Sequence, residues 1–293
     1  MINILQNTAL IIELALLYLP LMLGAYLTFS LLQIPNLSIE SAVLAGSIIG
    51  SLLGANSVTA TVKLIIGLCS AASAGFLVGG ATGLLHIYGK LSHLLSNIVI
   101  IGIVYGLSLL ILGGSHLTLI NNCNPLHLFN YVPQYPSLPM LLLISFSLSF
   151  MMYCFFKTQL GVSCAAYGNN SKFLNNHKIV SGYVICTGLG LANLLAGITG
   201  YLLAQNNGFV DTHMANGTAL LCITALILGK VILNCVQPIN FALPIVGTIS
   251  YFVLQLILIK MGFDLRYFPL IQALTLIVIF IAQKSSRNLT LGV

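Results

Sequence analysis

The chain has 293 residues, of which 58% are hydrophobic and only 5% are charged, and its ten basic and four acidic side chains give a formal net charge of +6. Soluble domains usually carry about 25% charged residues. The composition therefore excludes a soluble enzyme and predicts an all-α, polytopic membrane protein in contact with lipid. The basic residues are scattered singly, so they indicate membrane topology and not nucleic-acid binding.

Apolar segments long enough to cross a bilayer, which takes roughly 20 residues per helix, fill most of the chain. In chain order they cover 8–31, 39–55, 62–87, 93–112, 138–156, 179–204, 214–233, 241–260 and 268–283. The first has no basic leading region and no cleavage site, so we expect it to stay in the mature protein. The second is the weakest of the nine, and the amino terminus changes side if it re-enters. We predict a single transmembrane domain over 1–293.

The basic residues between these segments predict the orientation, because cytoplasmic loops carry an excess of Lys and Arg. One predicted side holds Lys90, Lys157, Lys172, Lys178, Lys284 and Arg287, with Lys230 nearby. The other side keeps Lys63, Lys260, Arg266 and a long uncharged loop over 113–137. With nine crossings, we expect the amino terminus outside and the carboxyl terminus in the cytoplasm.

Small residues recur every fourth position on two of the segments and predict close helix packing. They are Gly46, Gly50 and Gly54 on the second segment and Gly75, Gly79 and Gly83 on the third. The seven cysteines lie mostly within or beside the segments and form no CxxC pair, so we interpret them as packing residues and predict neither disulfides nor a metal site.

Glu40 lies in a Ser-Ile-Glu-Ser turn at the start of the second segment. A carboxylate at the bilayer centre costs on the order of 3 kcal/mol, so we expect Glu40 to face protein, water or a helix end. Pro35 ends the preceding helix, Asn36 or Ser38 caps the next one, and Glu40 falls in its first turn, where the helix dipole favours an anion. Capping is the simplest interpretation. Glu13, by contrast, lies in mid-segment and has no predicted capping role.

A second interpretation of Glu40 comes from a similar stretch later in the chain. Residues 205–229 repeat the order of 33–54: a Gln, a polar break, an acidic residue, small residues and an apolar helix ending in Gly, with Asp211 in the place of Glu40. Interrupted helices in corresponding positions predict an internally repeated transporter with its path between the repeats. The predicted path residues are Asn36, Ser38, Glu40, Ser41, Asn207, Asp211, His213 and Asn216, and His213 is expected to share a polar pocket with Asn207 and Asn216.

The stretch GAYLTFSLLQIPNLSIESAVLAGS resembles the segment near the start of permease subunits of ATP-binding-cassette importers in the branched-chain amino acid and ribose class, and is most similar to their tryptophan/tyrosine-type branch. The likeness continues over 79–117, 158–170, 200–230 and 262–284. It implies a homodimer in the bacterial inner membrane that pairs with cytosolic ATP-binding subunits and an extracytoplasmic solute-binding protein. The implied function is ATP-driven uptake of a small polar solute, an amino acid.

The chain has no phosphate-binding loop sequence, so it is not expected to be an enzyme or to hold a cofactor, and ATP and Mg²⁺ would bind the partner ATPase. The resemblance implies that 157–178 is a cytoplasmic loop whose coupling helix docks onto that ATPase through Leu160, Gly161, Ala166, Gly168, Asn170, Lys172, Phe173 and Leu174. Relatives commonly carry Arg, Asp and Pro within this loop, and this chain departs from them at Gln159, Ala165, Asn169 and Ser171. An ordinary solvated loop is the alternative.

Two other classes of function stay open at this stage. In an ion-coupled secondary carrier, Glu40 and Asp211 would bind ions within the membrane and the 157–178 loop would only connect two helices. A scaffold for other membrane proteins would explain the glycine stripes, but not the paired interrupted helices.

Overall fold

The computed structural model describes residues 2–55, 59–119, 125–128, 137–170, 181–233, 240–262 and 269–277. Its elements in chain order are α1 (Ile2–Ala25), α2 (Ile39–Ala55), α3 (Ala60–Gly89), α4 (His93–Leu112), β1 (His116–Thr118), α5 (Leu138–Phe156), α6 (Gln159–Asn169), α7 (Ser181–Asn207), β2 (Phe209–Asp211), α8 (Thr218–Leu233) and α9 (Ala242–Lys260). A π-helix over Tyr26–Leu32 extends α1, a 3₁₀ turn covers Pro125–Leu128, and residues 269–277 form a further helix, α10.

The lengths of these helices confirm a polytopic helical bundle. In the described part of the chain, the helices long and apolar enough to cross a membrane are Thr8–Leu32, Ala60–Gly89, His93–Leu112, Leu138–Phe156, Ser181–Asn207 and Ala242–Lys260. Helices α2 and α8 are apolar but have only 17 and 16 residues, or about 25 Å at 1.5 Å per residue. Each is therefore shorter than the roughly 30 Å hydrocarbon core and crosses it only together with the polar break before it. The ninth predicted segment is described only over 269–277.

Helix α7 forms the centre of the bundle and packs against α2 and α3. The interface is built from small residues: a Cβ at Gly46 would overlap the backbone of Gly197, and a Cβ at Gly75 would overlap the backbone of Asn193. Gly79 and Gly83 likewise face α7, whereas Gly50 faces Tyr201 of α7 and Gly67 of α3, and Gly54 faces Lys63. Close backbone approach of this kind is how membrane helices gain packing energy without a hydrophobic driving force.

The packing also shows two related groups of three helices. Helices α2 and α3 pack on each other and on α7, and correspondingly α8 and α9 pack on each other and on α1. Gly229 of α8 and Gly247 of α9 meet at a small-residue contact like those of the first group. Helices α1 and α7 run antiparallel, because Gly24 adjoins Ala192 while Leu32 adjoins Gly188. This arrangement supports the internal repeat that the sequence predicted, and the antiparallel course of α1 and α7 is typical of a repeat whose two halves are inverted.

The two ends of the bundle differ in structure and charge. At one end, here called the α6 end, α6 packs against the π-helix, α5 and α7. At the opposite end, here called the ribbon end, β1 and β2 form an antiparallel pair with His116 opposite Asp211. The end of α1 and the start of α9 both lie at the α6 end, since the Tyr26 hydroxyl accepts a hydrogen bond from the Asn240 N–H group at 2.8 Å.

Candidate functional site

The chain leaves α1 through a π-helix and an irregular turn. The Thr28 hydroxyl donates to the carbonyl oxygens of Gly24 and Ala25, at 3.4 and 3.2 Å, within the chain's own preceding turn. Gln33 adopts a left-handed conformation with φ 55° and ends the π-helix. Residues 33–38 then run without regular structure until α2 begins. Short π-helical stretches of this kind are frequent at functional sites.

A closed ring of three hydrogen bonds joins this break to α7. The Asn36 amide donates to Asn193 Oδ1 at 2.8 Å, the Asn193 amide donates to Ser38 Oγ at 2.8 Å, and the Ser38 hydroxyl donates to Asn36 Oδ1 at 2.7 Å. All three side chains are fully buried. Asn36 and Ser38 were expected to cap α2 and to line the path, but their side chains bond to each other and to α7. Their role in a path stays a prediction.

Asn97 of α4 joins the same break from the other side. Its amide donates to the Pro35 carbonyl oxygen at 2.7 Å, and its Oδ1 accepts from the Ser38 N–H group at 3.3 Å. The sequence analysis missed both Asn97 and Asn193. Each is an amide surrounded by apolar and small residues within a helix, and such intramembrane polar residues are a usable signal because they are costly unless paired.

Glu40 caps a helix, but not its own. Its Oε1 accepts hydrogen bonds from the Gly217 and Ala219 N–H groups, at 3.0 and 3.3 Å. These are donors at the start of α8, where the helix dipole favours an anion. Since Glu40 itself lies in the first turn of α2, its carboxylate ties together the starts of the two short helices. Glu40 therefore faces a helix end as predicted, but that end is the start of α8 and not the start of α2.

Asp211 is not the structural counterpart of Glu40, contrary to the alignment of the two breaks. It lies in β2 at the ribbon end, and its Oδ1 accepts from the His213 N–H group at 3.0 Å and from the Thr212 hydroxyl at 3.4 Å. Because α2 begins at Ile39 and α8 at Thr218, the position that corresponds to Glu40 is Ala219. The error arises because the two stretches were aligned by residue type with gaps, and a gap shifts the positions that follow it relative to the start of the helix.

The other predicted path residues are spread over several environments. Asn207 and His213 are exposed, the latter with a ring nitrogen 3.3 Å from the Asn216 amide. Asn216 lines a cavity beside α8, but Asn207 and His213 are not part of its wall. Ser41 is buried on α2, and its hydroxyl lacks a partner among the described residues.

Helix α6 covers the described part of the predicted coupling loop. It begins after Thr158, whose hydroxyl accepts from the Gly161 N–H group at 3.3 Å. Gly161 and Gly168 face inward: a Cβ at Gly161 would overlap the backbone of Phe155 and Phe156, and one at Gly168 would overlap the carbonyl group of Leu31. Both glycines therefore anchor α6 to the bundle. Leu160 and Ala166 are half-buried and Asn170 is exposed, whereas Lys172, Phe173 and Leu174 lie outside the described residues.

An open cleft separates α6 from the break between α1 and α2. Its volume is about 560 Å³, and its walls are residues 32–34, His93 and residues 167–170. On its anchored side, α6 is tightly packed, since Cys164 is fully buried and burial raises the pKa of its thiol to about 12. The α6 end thus combines a firmly seated helix with an irregular backbone segment beside it.

Comparison with known proteins gives three findings. The family model described as "Branched-chain amino acid transport system / permease component" matches residues 7–280. A protein of Clostridioides difficile (strain R20291) named "Tyrosine transport system permease protein" is 31% identical over 207 residues, which are 71% of this chain and 67% of that protein. "Uncharacterized protein RP368" of Rickettsia prowazekii (strain Madrid E) is 27% identical over 285 residues, 94% of this chain and 96% of the other. No solved structure matches.

Proposed function

Because the chain belongs to the branched-chain amino acid permease family, we propose that it is the membrane subunit of an ATP-binding-cassette importer and that its solute is an amino acid. It acts as one half of a homodimer, takes solute from an extracytoplasmic binding protein, and relies on a partner ATPase for ATP and Mg²⁺. The observation that carries the proposal is the meeting of the short helices α2 and α8 at Glu40, together with the anchoring of α6 to the π-helix that leads into the break before α2.

The contacts supply a physical route from an ATPase to the membrane path. Gly168 of α6 lies against Leu31, near the end of the π-helix, and Gly188 of α7 lies against Leu32 and Cys164. The break after Gln33 is bonded in turn to α7 and α4, and the next turn of chain carries Glu40. A displacement of α6 therefore acts on the π-helix, the break and the start of α8. Packed helices with two discrete arrangements convert such small shifts into a change of state.

The charge distribution supports a cytoplasmic position for the α6 end. Lys90, Lys157 and Lys230 are exposed there, whereas the described charged residues toward the ribbon end are Glu13, Lys63, Lys260 and Asp211. An excess of basic residues is typical of cytoplasmic loops. The ribbon end would then face outward and meet the solute-binding protein, in the plasma membrane of a bacterial cell.

The carboxylate contacts favour this proposal over an ion-coupled carrier. Glu40 accepts two backbone N–H groups and Asp211 accepts one backbone N–H group and a hydroxyl group. A carboxylate that binds a cation in the membrane needs its oxygens for that cation. In this chain, one oxygen of each carboxylate already stabilises helix or turn geometry.

The experiment is purification of the tagged full-length chain from its native membrane, followed by uptake of L-tyrosine in proteoliposomes. We expect a nucleotide-binding subunit to co-purify and uptake to stop when ATP is depleted. Uptake that survives ATP depletion without such a subunit would establish the carrier instead.

A matched pair of glycine substitutions tests the route through α6. Gly168→Val inserts a side chain against Leu31 and should lower uptake at least tenfold while the partner still hydrolyses ATP. Gly80→Val is the control, because a Cβ there meets nothing within 4 Å. Unimpaired uptake in Gly168→Val, with the control also normal, would refute the route.

A further inference from the structure

Helix α4 reaches the break between α1 and α2 through one side chain. The buried residues of α4 are Ser96, Asn97, Ile100 and Ser108. The two serine hydroxyls donate to carbonyl oxygens of α4 itself, at 3.1 and 2.6 Å. Within the described part of the chain, both hydrogen bonds that join α4 to another element are made by Asn97. The helix is therefore tied to the break by a single amide group.

Pro35 interrupts the helix and leaves backbone groups of the break without helical partners. It has no N–H group, its ring clashes with the carbonyl group four residues before it, and the residue before it avoids the helical conformation. In an uninterrupted helix, the Ser38 N–H group would donate to Ile34, and the Pro35 carbonyl oxygen would have a donor four residues further on. Here Asn97 Oδ1 accepts from the Ser38 N–H group, and the Asn97 amide donates to the Pro35 carbonyl oxygen. Asn97 thus replaces two backbone partners.

The break is fixed between two helices by different kinds of bond. Asn193 of α7 bonds to the side chains of Asn36 and Ser38, whereas Asn97 of α4 bonds to the main chain. Asn97 is 1% exposed and Ser38 is fully buried, so no water replaces the amide without a rearrangement. Buried N–H and C=O groups are costly to leave unpaired. The main chain of the break therefore depends on Asn97 for its position.

The start of α4 is itself fixed to the end of α3. The rings of His86 and His93 stack with their centroids 3.6 Å apart, and His86 Nδ1 lies 2.7 Å from the Leu91 carbonyl oxygen. His93 also forms part of the wall of the cleft between α6 and the break. Asn97 follows His93 by four residues and so lies on the same face of α4, one turn further on. The amide is therefore placed next to the cleft that α6 borders.

We propose that Asn97 is a positioning residue: its two hydrogen bonds hold the break between α1 and α2 in place, and the transport cycle depends on this hold. The inference rests on the proposed function and adds to it a point of control on α4, outside the contacts of α6. The partners of Asn97 are backbone groups of the chain itself. Its loss should therefore lower the maximal rate of uptake and leave the half-saturating solute concentration unchanged.

Amide hydrogen exchange of the purified full-length chain in detergent micelles, followed by mass spectrometry, tests the hold without partner or solute. The variants are Asn97→Leu, which removes both bonds, and Asn97→Ser, whose hydroxyl can bond within α4 as those of Ser96 and Ser108 do. The control is Ser96→Ala, which removes a bond internal to α4. We expect exchange of the segment that contains Ser38 to be at least tenfold faster in both Asn97 variants and unaltered in the control.

Exchange in α9 separates a local effect from a general one, because α9 packs on α8 and α1. It should be the same in all four proteins. Unchanged exchange around Ser38 in the Asn97 variants, or equal acceleration around Ser38 and in α9, overturns the hold. Asn97→Ser decides alone if Asn97→Leu does not fold.

Uptake of radiolabelled L-tyrosine by the assembled transporter in proteoliposomes tests whether transport depends on the hold. We expect both Asn97 variants to retain ATP hydrolysis, to keep the half-saturating concentration within twofold, and to lose at least tenfold in maximal rate, whereas Ser96→Ala is unaltered. An unaltered maximal rate despite faster exchange overturns this dependence. Absence of ATP-dependent uptake by the unaltered chain overturns the proposed function instead, and the exchange result still decides the hold.

Discussion

Substitution of Glu40 tests whether its carboxylate ties the two short helices together. Glu40→Gln and Glu40→Leu both remove the charge, and with it the cost of holding a carboxylate in the membrane. The two variants differ because Gln keeps a side-chain oxygen that can accept hydrogen bonds from the Gly217 and Ala219 N–H groups, whereas Leu leaves both N–H groups without this acceptor. Two hydrogen bonds at about 0.5–1.5 kcal/mol each make the Leu variant about 1–3 kcal/mol less stable than the Gln variant.

Glu13 provides the matched comparison. The expectation that it caps no helix is not contradicted, since its hydrogen bond comes from the hydroxyl of Ser137, the residue before α5, and not from a backbone N–H group. That is a single bond to a side chain that can turn elsewhere, so Glu13→Leu should be at most about 1.5 kcal/mol less stable than Glu13→Gln. The assay is unfolding of the purified protein by denaturant in micelles, followed by circular dichroism, with uptake measured in parallel.

The result that refutes this reasoning is a Gln-to-Leu difference at position 40 no larger than at position 13. It would mean that the α8 start finds other acceptors and that Glu40 has no special structural role. Uptake should follow stability, with Glu40→Leu more impaired than Glu13→Leu.

Three further predictions concern packing and orientation. Asn193→Leu breaks two bonds of the buried ring, so we expect a loss of about 1–3 kcal/mol in the same unfolding assay, and an unchanged midpoint would contradict the ring. Gly79→Ala should be less stable than Gly80→Ala, by about 1–3 kcal/mol in denaturant unfolding, because only the Cβ at 79 meets the α7 backbone; equal stability would show that the interface can separate. Val162→Cys, 54% exposed on α6, is placed in a chain whose cysteines other than the buried Cys164 are replaced by Ser, because Cys69 and Cys154 are exposed. It should react with a water-soluble maleimide from the cytoplasmic side of vesicles, while Cys164 stays unlabelled at pH 8; labelling from the outer side would reverse the topology.

Helix positions were predictable wherever an apolar run ends at a local signal. Helix α4 has the predicted bounds because the Ser92 hydroxyl caps its start and Gly113, at φ 63°, ends it. Helix α5 likewise ends before Lys157 as predicted. These boundaries depend on chemistry within a few residues, which a single sequence contains.

The long-range contacts of the site were not predictable in the same way. Asn193 bonds to residues more than 150 positions away, and nothing near it in the chain distinguishes a paired amide from a path residue. The choice of Asp211 as the counterpart of Glu40 failed for a related reason, because the sequence does not reveal that α8 starts only at Thr218. The glycine stripes predict close approach, but not which helix approaches.

The hydrogen bonds at the break between α1 and α2 have free energies comparable to those that couple distant sites in proteins. The ring of Asn36, Ser38 and Asn193 contains three hydrogen bonds, worth about 1.5–4.5 kcal/mol in total, and the Glu40 contacts to α8 add about 1–3 kcal/mol. Coupling free energies between distant sites are typically about 1–3 kcal/mol. A displacement of α6 that breaks one of these contacts would therefore change the free-energy difference between two conformations by an amount comparable to these coupling free energies. A route through the glycine interfaces of α7 would instead have to separate closely packed backbones. We therefore expect the polar break, and not the glycine core, to change state in the proposed transport cycle.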